Sequence, residues 1–133
     1  MEEVTVHVEA EISPTESPEK VKTAIENIFG SIQTKVQPIN RGSLLTAESR
    51  ESETLSKLYN LLRRERIRAA ARKVFLEGID GKTISFCLNK QVAYVGHVSF
   101  SEERAESPLG PIRVKIETEN PRRLVDWLTS MNV

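Results

Sequence analysis

"LYNLLRRERIRAAARKVF", Leu58–Phe75, is the stretch on which the reading of the fold turns. Leu55, Leu58, Tyr59 and Leu62 fall on one face of a helix. At about 100° per residue, the mean direction of Ile67, Ala70 and Val74 would lie over 90° round from that face on a continuous rod. The apolar stripe changes phase between Arg63 and Ile67. That predicts two helices meeting at a kink, within a helical region running from Ser52 to Glu77. The same stretch concentrates charge: Leu62–Lys73 carries six cations and one acid.

Upstream, Val4, Val6, Val8, Ala10 and Ile12 alternate with Glu3, Thr5, His7, Glu9 and Glu11, the period of a half-buried strand. Ser17-Pro18-Glu19 opens a helix by capping, proline placement and an acid at the positive end of the dipole. Val21, Ala24, Ile25 and Ile28 form its apolar stripe, and Gly30 stops it. Ile32, Thr34 and Val36 suggest a strand closed by Pro38. Asn40-Arg41-Gly42 makes a turn into a short strand over Leu44–Ala47. Downstream, Gly78 ends the second middle helix and Asp80-Gly81 turns into a strand at Ile84, Phe86 and Leu88. Val92, Tyr94, Val98 and Phe100 read as a further strand entered at Asn89-Lys90. A charged linker with Pro108, Gly110 and Pro111 precedes a last strand at Ile112, Val114 and Ile116. Asn120-Pro121 then opens a final helix burying Leu124, Trp127 and Leu128. The order predicts an α+β fold, a mixed or antiparallel sheet with helices packed mainly on one face. At 133 residues it is expected to be one domain, 1–133.

Composition narrows the function classes. Lys plus Arg and Asp plus Glu both number 19, so there is no global basic field. The balance is local: seven acids face Lys20 and Lys22 in Met1–Gly30, whereas Arg63–Lys73 is strongly positive. Cys87 is the single cysteine. It excludes an intramolecular disulfide and fits a reducing compartment, and Phe86 and Leu88 beside it suggest a structural thiol. The first residues lack the pattern of a signal peptide, and no apolar run spans a membrane, so a soluble cytoplasmic protein is expected. His7 and His97, the two histidines, fall in predicted strands far apart in sequence. With one cysteine they make no metal set. Glu102-Glu103 lies in a loop, and no glycine-rich phosphate loop occurs. Neither a catalytic group nor a cofactor is expected, and the chain reads as a non-enzyme.

The remaining signal is the basic corner. Arg68 and Arg72 align four residues apart, Arg63, Arg64 and Arg66 surround the bend, and Lys73 lies close by. Guanidinium groups take phosphate bidentately, which suits an RNA or DNA backbone read without regard to sequence. The alternative is that these side chains solvate a helix pair or neutralise the acids of the first strand, Glu2, Glu3, Glu9 and Glu11. Of seven aromatics, most fall at core positions, and Tyr94 with Phe100 on one strand face also suits a core. No stacking platform is evident.

"LNKQVAYVGHVSF" (Leu88–Phe100), "ESPLGPIRVKIE" (Glu106–Glu117), the helical corner and the closing Asp126-Trp127-Leu128 together resemble the archaeal UPF0201 family, over essentially the whole chain. That family is grouped with predicted RNA-binding and exosome-associated domains. The resemblance implies a fold similar to ribosomal protein L5, the large-subunit protein that binds 5S RNA. Fold likeness alone transfers no function. Asn89, Lys90 and Gln91, polar at a strand junction, either bond turn backbone or reach a phosphate. The expected RNA contacts are therefore Arg63, Arg64, Arg66, Arg68, Arg72, Lys73 and Lys90. The rival reading is a protein-interaction module, as a homodimer or with an acidic partner.

Overall fold

The computed structural model describes residues 3–101 and 110–130. The elements run β1 (Val4–Ile12), α1 (Pro18–Phe29), β2 (Thr34–Pro38), β3 (Ser43–Ser49), α2 (Ser52–Arg64), α3 (Arg68–Glu77), β4 (Ile79–Asp80), β5 (Thr83–Leu88), α4 (Lys90–Tyr94), β6 (Phe100–Ser101), β7 (Ile112–Thr118) and α5 (Pro121–Leu128). The strands form one sheet in the order β2-β3-β1-β7-β5-β4, with β6 also pairing β5. Every pairing is antiparallel.

Register explains the burial. Val8 lies opposite Ala47 on β3 and Val114 on β7, and Val114 opposite Phe86 on β5. This row and its neighbours at two-residue steps, including Val6, Ala10, Leu45, Ile112, Ile116 and Ile84, are buried. The helices cover that face with Ile25, Ile28, Leu55, Leu58, Leu62, Phe75 and Leu128. The opposite face carries Thr5, His7, Glu9 and Glu11 of β1 and is polar, the pattern of an antiparallel sheet with one solvated side. The predicted α+β architecture is the one observed.

The predicted phase change is a helix break. α2 ends in a Schellman motif: the Ile67 amide donates to Leu62 O at 3.1 Å and the Arg66 amide to Arg63 O at 3.1 Å. Arg66 takes the left-handed conformation the motif requires, with φ 57°, a place glycine normally fills. No glycine announces this corner. Only the stripe betrays it. On α3 the inward residues are Ala71 and Phe75, with Ile67 and Val74 packed beside them, while Ala70 faces out.

One element departs from expectation. Val92 and Tyr94 are not in a strand. The Asn89 side chain accepts a hydrogen bond from Val92 N at 2.9 Å and so caps a short helix, α4, buried through Lys90 and Ala93. Strand pairing resumes only at Phe100–Ser101. His97 consequently sits in a loop. Cys87 is half-buried on the polar face, opposite Arg113. Glu102-Glu103 and Pro108 of the charged linker lie outside the described residues.

Candidate nucleic-acid interface

The α2–α3 corner divides its cations by the side of the helix each occupies. Arg63 turns inward towards the end of α5. Its Nη1 donates to Tyr59 O at 3.1 Å and Leu128 O at 3.2 Å, and its Nη2 to Ser130 O at 3.1 Å. The same guanidinium lies 3.3 Å from the centroid of the Tyr59 ring, which stacks at 4.5 Å on Trp127. Arg68 Nη1 donates to Ser130 O at 3.0 Å. Arg72 Nη1 meets Asp126 Oδ1 at 2.7 Å and Thr129 Oγ1 at 3.4 Å. Three arginines thus converge on the last turn of α5, where helix geometry leaves carbonyls without partners and the dipole is negative.

Arg64, Arg66 and Lys73 turn outward and are exposed. Arg64 Nη2 donates to Gly96 O at 3.0 Å, a neutral partner that leaves its charge intact. Among the described residues neither the Arg66 nor the Lys73 side chain has a hydrogen bond or ion pair. The single acid of the segment, Glu65, faces elsewhere: its Oε1 accepts from His97 Nδ1 at 2.8 Å and from Val98 N at 3.3 Å. Ala69, Ala70 and Lys73 form an exposed face of α3, and Arg66 is exposed in the turn just before it. No side chain caps that helix and no acid occupies its first turn.

Lys90 belongs to another environment. It is 5 % exposed, and its Nζ donates to Glu11 O at 2.6 Å and to both Glu16 carboxylate oxygens at 3.2 Å. It joins α4 to the β1–α1 connection from inside. The acids of β1 do not meet the arginine corner. Glu9 pairs Arg113 at 3.3 Å across the polar face, and among the corner arginines the described ion pair is Arg72–Asp126.

Sequence reasoning passed over Arg122 and Arg123. Both are exposed in the first turn of α5, and Arg122 stands one turn before Asp126, the partner of Arg72. The signal was available: cations in a first turn oppose the helix dipole, so Asn120-Pro121-Arg122-Arg123 gains nothing locally from them.

The polar sheet face is a second candidate surface and is chemically mixed. His7 lies between Glu48 at 3.4 Å and Glu117 at 3.5 Å, and Lys115 stands opposite His7. This face carries no aromatic side chain among its described strands, so it lacks the stacking platform of sheet-based RNA readers. Among the described residues no group of His, Cys, Asp and Glu is arranged to hold a metal, and no helix is long and apolar enough to cross a membrane.

Comparison with known proteins identifies a family and a fold. A family model described as RNA binding matches residues 5–118, a span that holds all seven expected contacts. The chain is 44% identical over 122 residues to a UPF0201 protein of Sulfurisphaera tokodaii, covering 92% of this chain and 84% of that one. It is 46% identical over 124 residues to a UPF0201 protein of Sulfolobus acidocaldarius, covering 93% and 86%. The crystal structure of a UPF0201 protein from Methanococcus jannaschii superposes with a TM-score of 0.84 at 33% identity, covering 94% of this chain and 98% of that one.

Proposed function

We propose that this chain, which belongs to the archaeal UPF0201 family, binds RNA through the sugar–phosphate backbone at the outer side of the α2–α3 corner, and does so as a binding protein rather than an enzyme. One observation carries the reading. Arg64, Arg66 and Lys73 stand exposed around one bend, and among the described residues no carboxylate is bonded to any of them. The match to an RNA-binding family model supports it. Phosphate oxygens settle on the two guanidiniums and the ammonium. The uncapped first turn of α3, bare of side chains beyond Cβ at Ala69 and Ala70, lets a phosphate approach the backbone amides. Arg63, Arg68 and Arg72 contribute positive potential from behind while holding α5. Arg122 extends the surface on the α5 side. Lys90, enclosed by Glu11 and Glu16, takes no part.

The test is titration of a labelled RNA across a range of salt. Binding is expected to weaken linearly in log–log form, and each phosphate contact removed lowers the slope by roughly 0.7–0.9. Joint substitution Arg64→Glu, Arg66→Glu and Lys73→Glu is expected to abolish binding with the circular dichroism spectrum unchanged. Binding that ignores salt, or survives the triple substitution, refutes the proposal.

A second reading rests on the opposite edge of the molecule. β2 is an edge strand; Val36 in it and Ile39 just after it are 50% and 40% exposed. An exposed apolar edge suits pairing with a second copy of the chain. Light scattering decides it: a dimeric mass that falls to a monomer on Val36→Lys would establish assembly as a role of this edge.

A further inference from the structure

Of the seven aromatic side chains in the sequence, six are committed to packing. Phe29, Phe75 and Phe86 are buried, Phe100 packs edge-on against Phe75, and Tyr59 stacks on Trp127. Tyr94 is the exception at 41% exposed, and Val95 after it is 65% exposed. Their position is fixed rather than loose. Asn89 caps the start of α4. Asn27 Nδ2 donates to both Ala93 O and Tyr94 O at 3.0 Å and satisfies the carbonyls at its end. Gly96 then turns the chain with φ 89°.

The same tip is fastened to the basic corner. Gly96 O accepts from Arg64, and His97 Nδ1 donates to Glu65. Lys20 places its ammonium over the Tyr94 ring, 5.7 Å from the centroid, and Arg64 is bonded to Gly96 O two residues further along the chain, so the one exposed aromatic has a cation over it and a second held on the same tip. Aromatic ring and flanking cations are the two parts that hold an unstacked nucleotide, by its base and by its phosphates.

We infer that the Tyr94–His97 tip is a nucleobase contact: an unpaired base stacks on the Tyr94 ring while adjoining phosphates rest on Arg64 and Lys20. This rests on the reading of the corner as an RNA site and gives that site a substrate class. The ligand is RNA with unpaired nucleotides, such as a loop or bulge, beside a backbone that reaches Arg66 and Lys73. His97 assists. With Nδ1 engaged by Glu65, Nε2 remains for a hydrogen bond to a 2′-hydroxyl or a base edge, and the side chain is 58% exposed. Val95 supplies apolar contact at the edge of the base.

The experiment compares two RNAs by fluorescence anisotropy: a hairpin closed by an adenosine loop, and the same stem as a blunt duplex. The wild type is expected to favour the hairpin. Tyr94→Ala should weaken hairpin binding on the order of tenfold and leave duplex binding unchanged, while Tyr94→Phe retains the preference because the ring is kept. Equal affinity for both RNAs, or a Tyr94→Ala variant whose hairpin affinity equals wild type, overturns the inference and leaves the corner standing. The second of those results is also what a tip devoted to a protein partner would give. If the wild type binds neither RNA, the corner reading falls and this inference with it.

Discussion

The inner and outer sides of the α2–α3 corner carry the same residue type in the same dozen positions, yet their chemistry differs. Inside, Arg63, Arg68 and Arg72 spend their donors on Leu128 O, Ser130 O, Thr129 Oγ1 and Asp126. Outside, Arg64 keeps most of its donors, and Arg66 and Lys73 are solvated. Helix phase makes the division, because a residue one step along is turned by about 100°. A cationic run is therefore not one surface. Its charge is shared, whereas its hydrogen-bonding capacity is assigned residue by residue, and phosphate recognition needs the second as much as the first.

If the division is right, stability and RNA affinity respond to different arginines. The largest effect is expected at Arg63→Ala. It strips the carbonyls of Leu128 and Ser130 of a charged donor and removes the cation above Tyr59, at a cost of roughly 2–3 kcal/mol. The urea midpoint should fall with little change in slope. A loss under about 0.5 kcal/mol would show that α5 does not depend on the inner arginines. The next effect belongs to the outer side. Arg64→Glu with Lys73→Glu is expected to lower RNA affinity by more than about tenfold, as charges reverse at two phosphate contacts. Stability should stay within about 0.5 kcal/mol, as at exposed positions generally. A protein that unfolds instead would place these residues with the inner group.

How far this division was legible in the sequence depends on the range of each interaction. The break between α2 and α3 is local, and the shift of stripe from Leu62 to Ile67 revealed it. So did the caps at Ser17 and Asn120, which are set by neighbours three residues away. The partners that Arg63, Arg68 and Arg72 find at the end of α5 lie 54–67 residues downstream, and no local pattern encodes them. Lys90 is the sharper case, since Glu16 stands 74 residues away. Its long aliphatic stem makes burial feasible once a carboxylate waits at the end. α4 departs from its local pattern for a different reason. Val92, Tyr94, Val98 and Phe100 alternate as a strand would, but the alternation is broken by Gly96, and Asn89 three residues before Val92 was a helix cap in plain view.

Arg66 offers a smaller and more pointed test, because one substitution moves the two properties in opposite directions. Its left-handed backbone, φ 57°, is a conformation that disfavours side chains. Arg66→Gly should therefore raise stability by about 0.5–1 kcal/mol. It also deletes a solvated cation from the outer face, so RNA affinity should fall even as the protein becomes harder to unfold. Thermal unfolding and anisotropy on the same preparation read both. Were the glycine variant to bind as tightly as wild type, the retention of arginine at a glycine position would need another cause.

The smallest effect is expected where the two sides meet, at Arg72 and Asp126. Their side chains are 39% and 56% exposed, so the ion pair contributes only about 0.2–1 kcal/mol. Asp126→Asn should barely move the unfolding midpoint. Its effect on RNA runs the other way: an acid leaves the face that carries Arg122 one turn earlier, and the Arg72 guanidinium is released towards solvent. Affinity is expected to rise on the order of twofold, more at low salt than at high. A double-mutant cycle with Arg72→Gln separates these causes. If the gain persists without Arg72, it comes from the field of the lost carboxylate. If the gain disappears, Asp126 holds a fourth phosphate contact in reserve, and the boundary between inner and outer arginines runs through Arg72 itself.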